Sequence, residues 1–129
     1  MTTAYWCILI AALLPYLWVA IAKQSGQRYD NRDPRSWIAR QDNPRAQRAY
    51  AAQLNAFEAF APFAAAVLMA QAAGVDHARI AQLAIAFVVL RVLHGLFYVT
   101  GMHLLRSAAW GGALACVVWL MVQAAQHIA

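Results

Sequence analysis

The chain is short, apolar and poor in charge, with 129 residues of which 64% are hydrophobic and 12% charged. Soluble domains are closer to half apolar and a quarter charged, so this composition excludes a soluble enzyme, a nucleic-acid-binding domain and a disordered tail. It is typical of an integral membrane protein. A chain of this length has room for about four or five membrane spans of roughly 20 residues each.

The net charge of +5 does not indicate a nucleic-acid partner, because the basic residues are concentrated in one place. Six of the ten Lys and Arg residues lie between Lys23 and Arg45. A basic loop beside apolar segments is typical of the cytoplasmic face of a membrane protein. We therefore expect the loop 23–45 to be cytoplasmic and both termini to lie on the opposite side.

Four apolar segments are predicted to cross the membrane as helices, at about residues 4–22, 46–73, 78–102 and 108–127. A long, polar and irregular segment follows the first span, whereas short connections follow the second and third. Short connections join antiparallel neighbours, so we expect an all-α, antiparallel four-helix bundle. Residues 1–129 then form a single transmembrane domain. Small residues in the spans favour close contact between helices and also oligomerisation.

Capping residues set the predicted ends of these helices. Asn43 and Pro44 are typical of an N-cap followed by the first helical residue, and Gly74 is typical of a C-terminal stop. Asp76 is the predicted cap of the third span and Ser107 that of the fourth.

Tryptophans in the spans are predicted to lie in belts at the two membrane interfaces, where an amphipathic ring is favoured. This expectation covers Trp6, Trp18, Trp110 and Trp119, and it leaves Trp37 in the polar loop.

Three charged residues, Arg48, Glu58 and Arg91, lie within or at the end of predicted spans. An ionised side chain at the bilayer centre costs about 2.5–3.5 kcal/mol on insertion scales, so each needs a partner or a hydrated cavity. At 1.5 Å per residue, Glu58 and Arg91 reach similar depths from opposite membrane faces. We therefore predict a contact between Glu58 and Arg91, within one subunit or between two.

Polar residues also share helix faces. Arg48, Asn55 and Glu58 lie on one face of the second span. On the third span, spacings of three and four align a second polar set, which comprises Arg91, His94 and Tyr98. Together they predict a polar cleft whose mouth Arg106 could close. Such a cleft either fastens helices together or binds a small anionic ligand. The four histidines lie near different surfaces or in the core, so no metal site is predicted.

Two segments resemble the MAPEG family, the membrane-associated proteins in eicosanoid and glutathione metabolism. The first is the stretch 45–63, with Asn55 and Glu58 in an Asn-x-x-Glu pattern. The second is the stretch 91–98, which reads Arg-x-x-His-x-x-x-Tyr. The resemblance extends over nearly the whole chain, including the four spans and the long polar first loop. The alanine-rich pattern is similar to that of bacterial members, which implies a bacterial inner membrane.

The resemblance implies a homotrimer in the lipid bilayer with glutathione held between neighbouring subunits near the cytoplasmic side. It implies a glutathione-dependent transferase or peroxidase acting on lipophilic electrophiles. Arg106 is the implied catalytic residue, because an arginine at the start of the fourth helix stabilises the glutathione thiolate in active members. The implied glutathione-binding residues are Arg48, Asn55, Glu58, Arg91, His94 and Tyr98.

The chain departs from the family pattern at two positions that bear on activity. At one of them, Trp110 stands where some members place a tyrosine. Many glutathione-using members carry an arginine four residues before the asparagine, and here that position is Ala51. Arg48 lies one turn earlier and could partly substitute for that arginine, although its side chain would reach a different point of the site. The alternative is therefore a non-catalytic membrane scaffold or accessory subunit that keeps the family fold without glutathione chemistry.

Overall fold

Five helices make up the regular structure of residues 1–26 and 28–128, which are the residues described by a computed structural model. Four of them are long and apolar enough to cross a membrane. The fifth, α2, is a short helix in the loop between the first two spans. In chain order the helices are α1 (Thr2–Gln24), α2 (Pro34–Ala39), α3 (Pro44–Ala73), α4 (His77–Thr100) and α5 (His103–Ile128).

The predicted helix ends around α3 are confirmed. The Asn43 side chain accepts hydrogen bonds from the backbone N–H groups of Arg45 and Ala46, which would otherwise lack partners in the first turn. Gly74 ends the helix in the left-handed conformation at φ 85°, which glycine adopts without a steric penalty. Asp76 occupies the N-cap position of α4, although its side chain makes no capping hydrogen bond.

The predicted cap of the last span at Ser107 is wrong, because α5 begins four residues earlier at His103. Gly101 ends α4 at φ 80° and reverses the chain, so that only Met102 separates it from the next helix. This tight turn places Arg106 in the first turn of α5, on a rigid element rather than in a loop.

The loop between α1 and α3 is more ordered than expected. Asp33 and Pro34 repeat the Asn43–Pro44 signal, and the Asp33 side chain accepts a hydrogen bond from the backbone of Ser36 at the start of α2. Trp37, on α2, is buried and its indole N–H donates to the carbonyl of Arg28 at 2.8 Å. The loop therefore folds onto the end of the bundle.

The four long helices form a bundle in which α3 and α4 are the central pair. Both pack against each other and against both remaining long helices, whereas α1 and α5 lie at opposite corners and make no contact in the described residues. At 1.5 Å per residue the 30-residue α3 is about 45 Å long, more than a hydrocarbon core of about 30 Å needs. Part of α3 therefore extends beyond the apolar layer.

Small side chains allow these helices to approach closely. Lipid offers no hydrophobic drive for helix association, so packing over alanine and glycine takes its place. Phe63 and Phe87 fill the space between α3 and α4 as a stacked pair with ring centroids 3.9 Å apart. The fully buried alanines of α3 are Ala46, Ala49, Ala52, Ala66 and Ala70.

The ring of Trp18, which is predicted to lie in an interface belt, is buried in the core of the bundle, where it is 1% exposed. Trp6, Trp110 and Trp119 are 48–60% exposed, as residues facing lipid or a neighbour would be. The Trp18 ring lies against Gly95 of α4, and a Cβ added at Gly95 would come within 1.9 Å of the indole carbon Cζ2. Gly95 is therefore required for the ring to be accommodated.

Replacing Gly95 by alanine should destabilise the bundle, because the buried ring of Trp18 has no open space to move into. We expect an overpacking cost of about 1–3 kcal/mol, measured as a lower melting temperature in detergent by circular dichroism. Gly111→Ala is the matched control, since nothing lies within 4 Å of the added Cβ. Equal melting temperatures for the two variants would contradict this account of the Trp18 site.

Candidate functional site

A buried arginine bonded to an asparagine lies at the centre of the site. Arg91 is 3% exposed on α4, and its guanidinium Nη2 donates to Oδ1 of Asn55 on α3 at 2.8 Å. A hydrogen bond to a charged group contributes about 1.5–3 kcal/mol, and leaving a buried charge without one costs more. The pair therefore ties the two central helices together.

Glu58 lies on the same face of α3 but is not paired with Arg91 as predicted for a single subunit. In residues 1–26 and 28–128 the one ion pair is between Arg32 and Asp30, in the polar loop. That arginine lowers the pKa of the Asp30 carboxyl through a side-chain and a backbone hydrogen bond. The Glu58 side chain is exposed on the surface of the bundle, within the membrane-spanning length of α3. A contact with Arg91 across a subunit interface stays a prediction.

Asn55, Glu58 and Arg91 line a common cavity of about 230 Å³ between α3, α4 and α5, called here the polar cavity. The rest of its wall is largely apolar and includes Pro62 on α3 and Trp110 on α5. Because proline has no N–H, Pro62 cannot donate to the carbonyl of Glu58, four residues earlier in the helix. Glu58 therefore presents to this region both a carboxylate and a carbonyl without its usual helical partner.

Arg106 belongs to a second group of polar side chains, near the turn between α4 and α5. The guanidinium carbon of Arg106 lies 4.5 Å from the centre of the Tyr98 ring, in cation–π contact. On the same face of α4 the imidazole of His94 meets the edge of that ring, with centroids 5.6 Å apart. His94 itself is buried, with 2% of its surface exposed.

Arg48 binds the end of α4. Its Nε donates to the carbonyl of Val99 at 3.0 Å, and its guanidinium lies against Gly101. The last carbonyls of a helix carry the negative end of the helix dipole, so a cation is favourable there. Arg48 therefore joins α3 to the tight turn between α4 and α5, which precedes Arg106.

The seven residues predicted from the sequence thus form two groups. Three of them line the polar cavity, and four surround the end of α4. Pro62 was not among the predicted residues, although its spacing of four from Glu58 and seven from Asn55 places it on the same helix face. Trp110, predicted at an interface and at a position where some members of the resembled family carry a tyrosine, also lines the cavity. Guanidinium, carboxylate and amide groups at one apolar-walled cavity can recognise a small zwitterionic or anionic molecule.

Comparison with known proteins identifies one family. The family model described as "MAPEG family" matches residues 3–126, which is nearly the whole chain. Neither the curated proteins nor the solved structures gave a match.

The hydrogen bond between Asn55 and Arg91 gives a test of what holds the central helices. Asn55→Leu removes the acceptor and leaves a buried guanidinium unpaired, so we expect a loss of about 2–3 kcal/mol in stability. Asn55→Asp keeps an acceptor oxygen and should retain most of the wild-type stability. Thermal unfolding in detergent measures both, and a leucine variant as stable as wild type would show that the bond contributes nothing.

Proposed function

Because the chain belongs to the MAPEG family, we propose that it is a glutathione-dependent transferase or peroxidase acting on lipophilic electrophiles. The family includes such enzymes, and its members generally use glutathione. The observation that carries the proposal is the shared cavity of Asn55, Glu58 and Arg91, where a carboxylate, an amide and a cation line one cavity of an apolar bundle.

The chemistry of these residues fits glutathione. The tripeptide carries two carboxylates, an ammonium group and a thiol, and it therefore needs both cationic and anionic partners. Glu58 is suited to its ammonium group, while Arg91 and Arg48 are suited to its carboxylates. Asn55 would fix the orientation of Arg91 and offer its remaining amide hydrogens to the ligand.

Arg106 is the residue proposed to act on the thiol. Glutathione supplies a sulfur nucleophile, which is reactive as the thiolate. A guanidinium in the first turn of α5 would stabilise that anion and lower the pKa of the thiol. The contact with Tyr98 supports this role because it fixes the direction of Arg106, and His94 would hold Tyr98 from behind as a positioning residue.

The site would be completed by a neighbouring subunit in a homotrimer. The polar cavity of one chain measures about 230 Å³, below the roughly 300–1,000 Å³ usual for small-molecule pockets. Glu58 is exposed within a span, where an uncovered carboxylate would be costly in lipid. Both observations support a second copy packing over the α3 face, which would also allow the contact between Glu58 and Arg91 across the interface.

The proposed orientation follows from the charge. The loop between α1 and α3 would face the cytoplasm, with both termini on the opposite side of a bacterial inner membrane. The turn between α4 and α5 lies at the same end of the bundle as this loop, because Arg48 near the start of α3 contacts Val99. Glutathione would then enter from the cytoplasmic side, and the electrophile from the lipid.

A specific observation favours a second candidate function. Ala51 stands where many glutathione-using members carry an arginine, so one cation of the usual set is missing. Arg48 is already bonded to Val99. A chain that keeps the family fold as a scaffold or accessory subunit, without glutathione chemistry, would retain the Arg91–Asn55 bond and need no thiolate.

Glutathione binding distinguishes the two functions. Isothermal titration of the purified protein should give saturable binding, which Glu58→Gln should weaken by about tenfold or more if it removes an ion pair worth about 1.4 kcal/mol. Arg106→Ala should retain binding but lose the ultraviolet absorbance of the glutathione thiolate, because the anion loses its stabilising charge. Arg79→Ala, near the opposite end of α4 from Tyr98, is the control and should change neither signal. Absence of heat with the wild-type protein would favour the scaffold.

The oligomeric state is tested independently of chemistry. Native mass spectrometry from mild detergent should give a species of three 14.2 kDa chains. A bulky change on the exposed face of α3, Glu58→Trp, should shift this species towards monomer, whereas Trp6→Leu on the exposed face of α1 should not. A wild-type protein that stays monomeric at all concentrations would overturn the shared site.

A further inference from the structure

A second cavity shares no lining residue with the polar cavity and lies at the loop end of the bundle. It measures about 550 Å³ and is enclosed by the last two turns of α1, the α2 loop and the first half of α3. We call it the loop groove. From Tyr16 to Lys23 it follows seven residues of α1, which corresponds to a depth of about 10 Å.

The wall of the loop groove is aromatic and apolar. Tyr16 and Phe57 contact each other edge to face, with ring centroids 5.9 Å apart, and both side chains are exposed. Leu54 extends the same wall on α3. On α1 the exposed side chains of Leu13 and Leu9 continue the Tyr16 face away from the loop. An apolar track therefore leads from the groove along the lipid-facing surface.

The mouth of the groove is cationic. Lys23 and Arg35 both line it, and neither takes part in an ion pair within residues 1–26 and 28–128. The Lys23 ammonium lies 4.6 Å above the Tyr29 ring, which holds it at the rim rather than in open solvent. No acidic side chain of the described residues lines this groove. The mouth thus offers two positive charges with no counter-ion.

We propose that the loop groove is a binding site for an anionic phospholipid. Its phosphate would lie between Lys23 and Arg35, and one acyl chain would follow Tyr16 and Phe57 towards the exposed leucines of α1. Charge at the rim with apolar surface below it matches the order of headgroup and acyl chain in a phospholipid of the leaflet beside the loop. A small soluble anion would use the rim alone and leave the wall empty.

Binding is measured by native mass spectrometry of the full chain in detergent with phosphatidylglycerol and with phosphatidylcholine of the same acyl chains. We expect phosphatidylglycerol to bind in preference. The double variant K23Q/R35Q should lose at least about tenfold in phosphatidylglycerol binding, since each basic residue near an anionic headgroup contributes measurably. The double variant R28Q/R40Q is the matched control, because it removes the same charge from the same loop but at residues that do not line the groove.

Three outcomes would overturn the proposal. Equal losses in the two double variants would show general attraction to the basic loop rather than a site. Displacement of the lipid by glycerol phosphate at equal concentration would show a site for a small anion. Displacement by glutathione would assign the groove to thiol binding instead. Because phosphatidylglycerol binding does not depend on the polar cavity, the proposal stands or fails independently of glutathione chemistry.

Discussion

The burial of one arginine inside a membrane-spanning bundle is the constraint on which the rest of the structure depends. Arg91 cannot be left without a partner in a medium that does not solvate charge, and it cannot reach the membrane surface from the middle of α4. Its hydrogen bond to Asn55 fixes the rotation of α3 against α4. Every other side chain on the two polar faces takes its position from that rotation.

Small residues make this contact possible. The helices approach over alanines, and the space left between them is filled by few large side chains, the Phe63–Phe87 stack and Trp18. Trp18 in turn requires Gly95, one residue from His94 on α4. Packing and the polar site are therefore coupled, because a shift of α4 that changed the space for the Trp18 ring would also displace the polar side chains on α4.

Two groups of side chains meet at the loop end of the bundle. At the loop end, Arg48 joins α3 to the end of α4, and Arg106 and Tyr98 lie beside the tight turn around Gly101. At the same end the loop folds through α2 and Trp37 onto α1 and α3. The basic loop and the group formed by Arg48, Tyr98 and Arg106 are thus found at the same end of the bundle.

The spans, the caps at Asn43 and Gly74 and the shared faces of the polar residues could be predicted from the sequence. They depend on local periodicity and backbone preferences, which a chain carries without its neighbours. MAPEG membership was equally accessible from the motifs on α3 and α4, and the family match confirms it. The helix α2 could have been found, since Asp33–Pro34 is the same signal as Asn43–Pro44.

Tertiary structure alone decided which partner each polar group takes. Depth arithmetic paired Arg91 with Glu58, but within one chain the helix rotation brings Asn55 to Arg91 and leaves Glu58 exposed. Composition assigned Trp18 to an interface, and only the glycine opposite it on α4 opens the core to its ring. The start of α5 depended on the turn at Gly101. Residue spacing determines the face of a helix, whereas the contact that a face makes depends on the distance and rotation of the neighbouring helix.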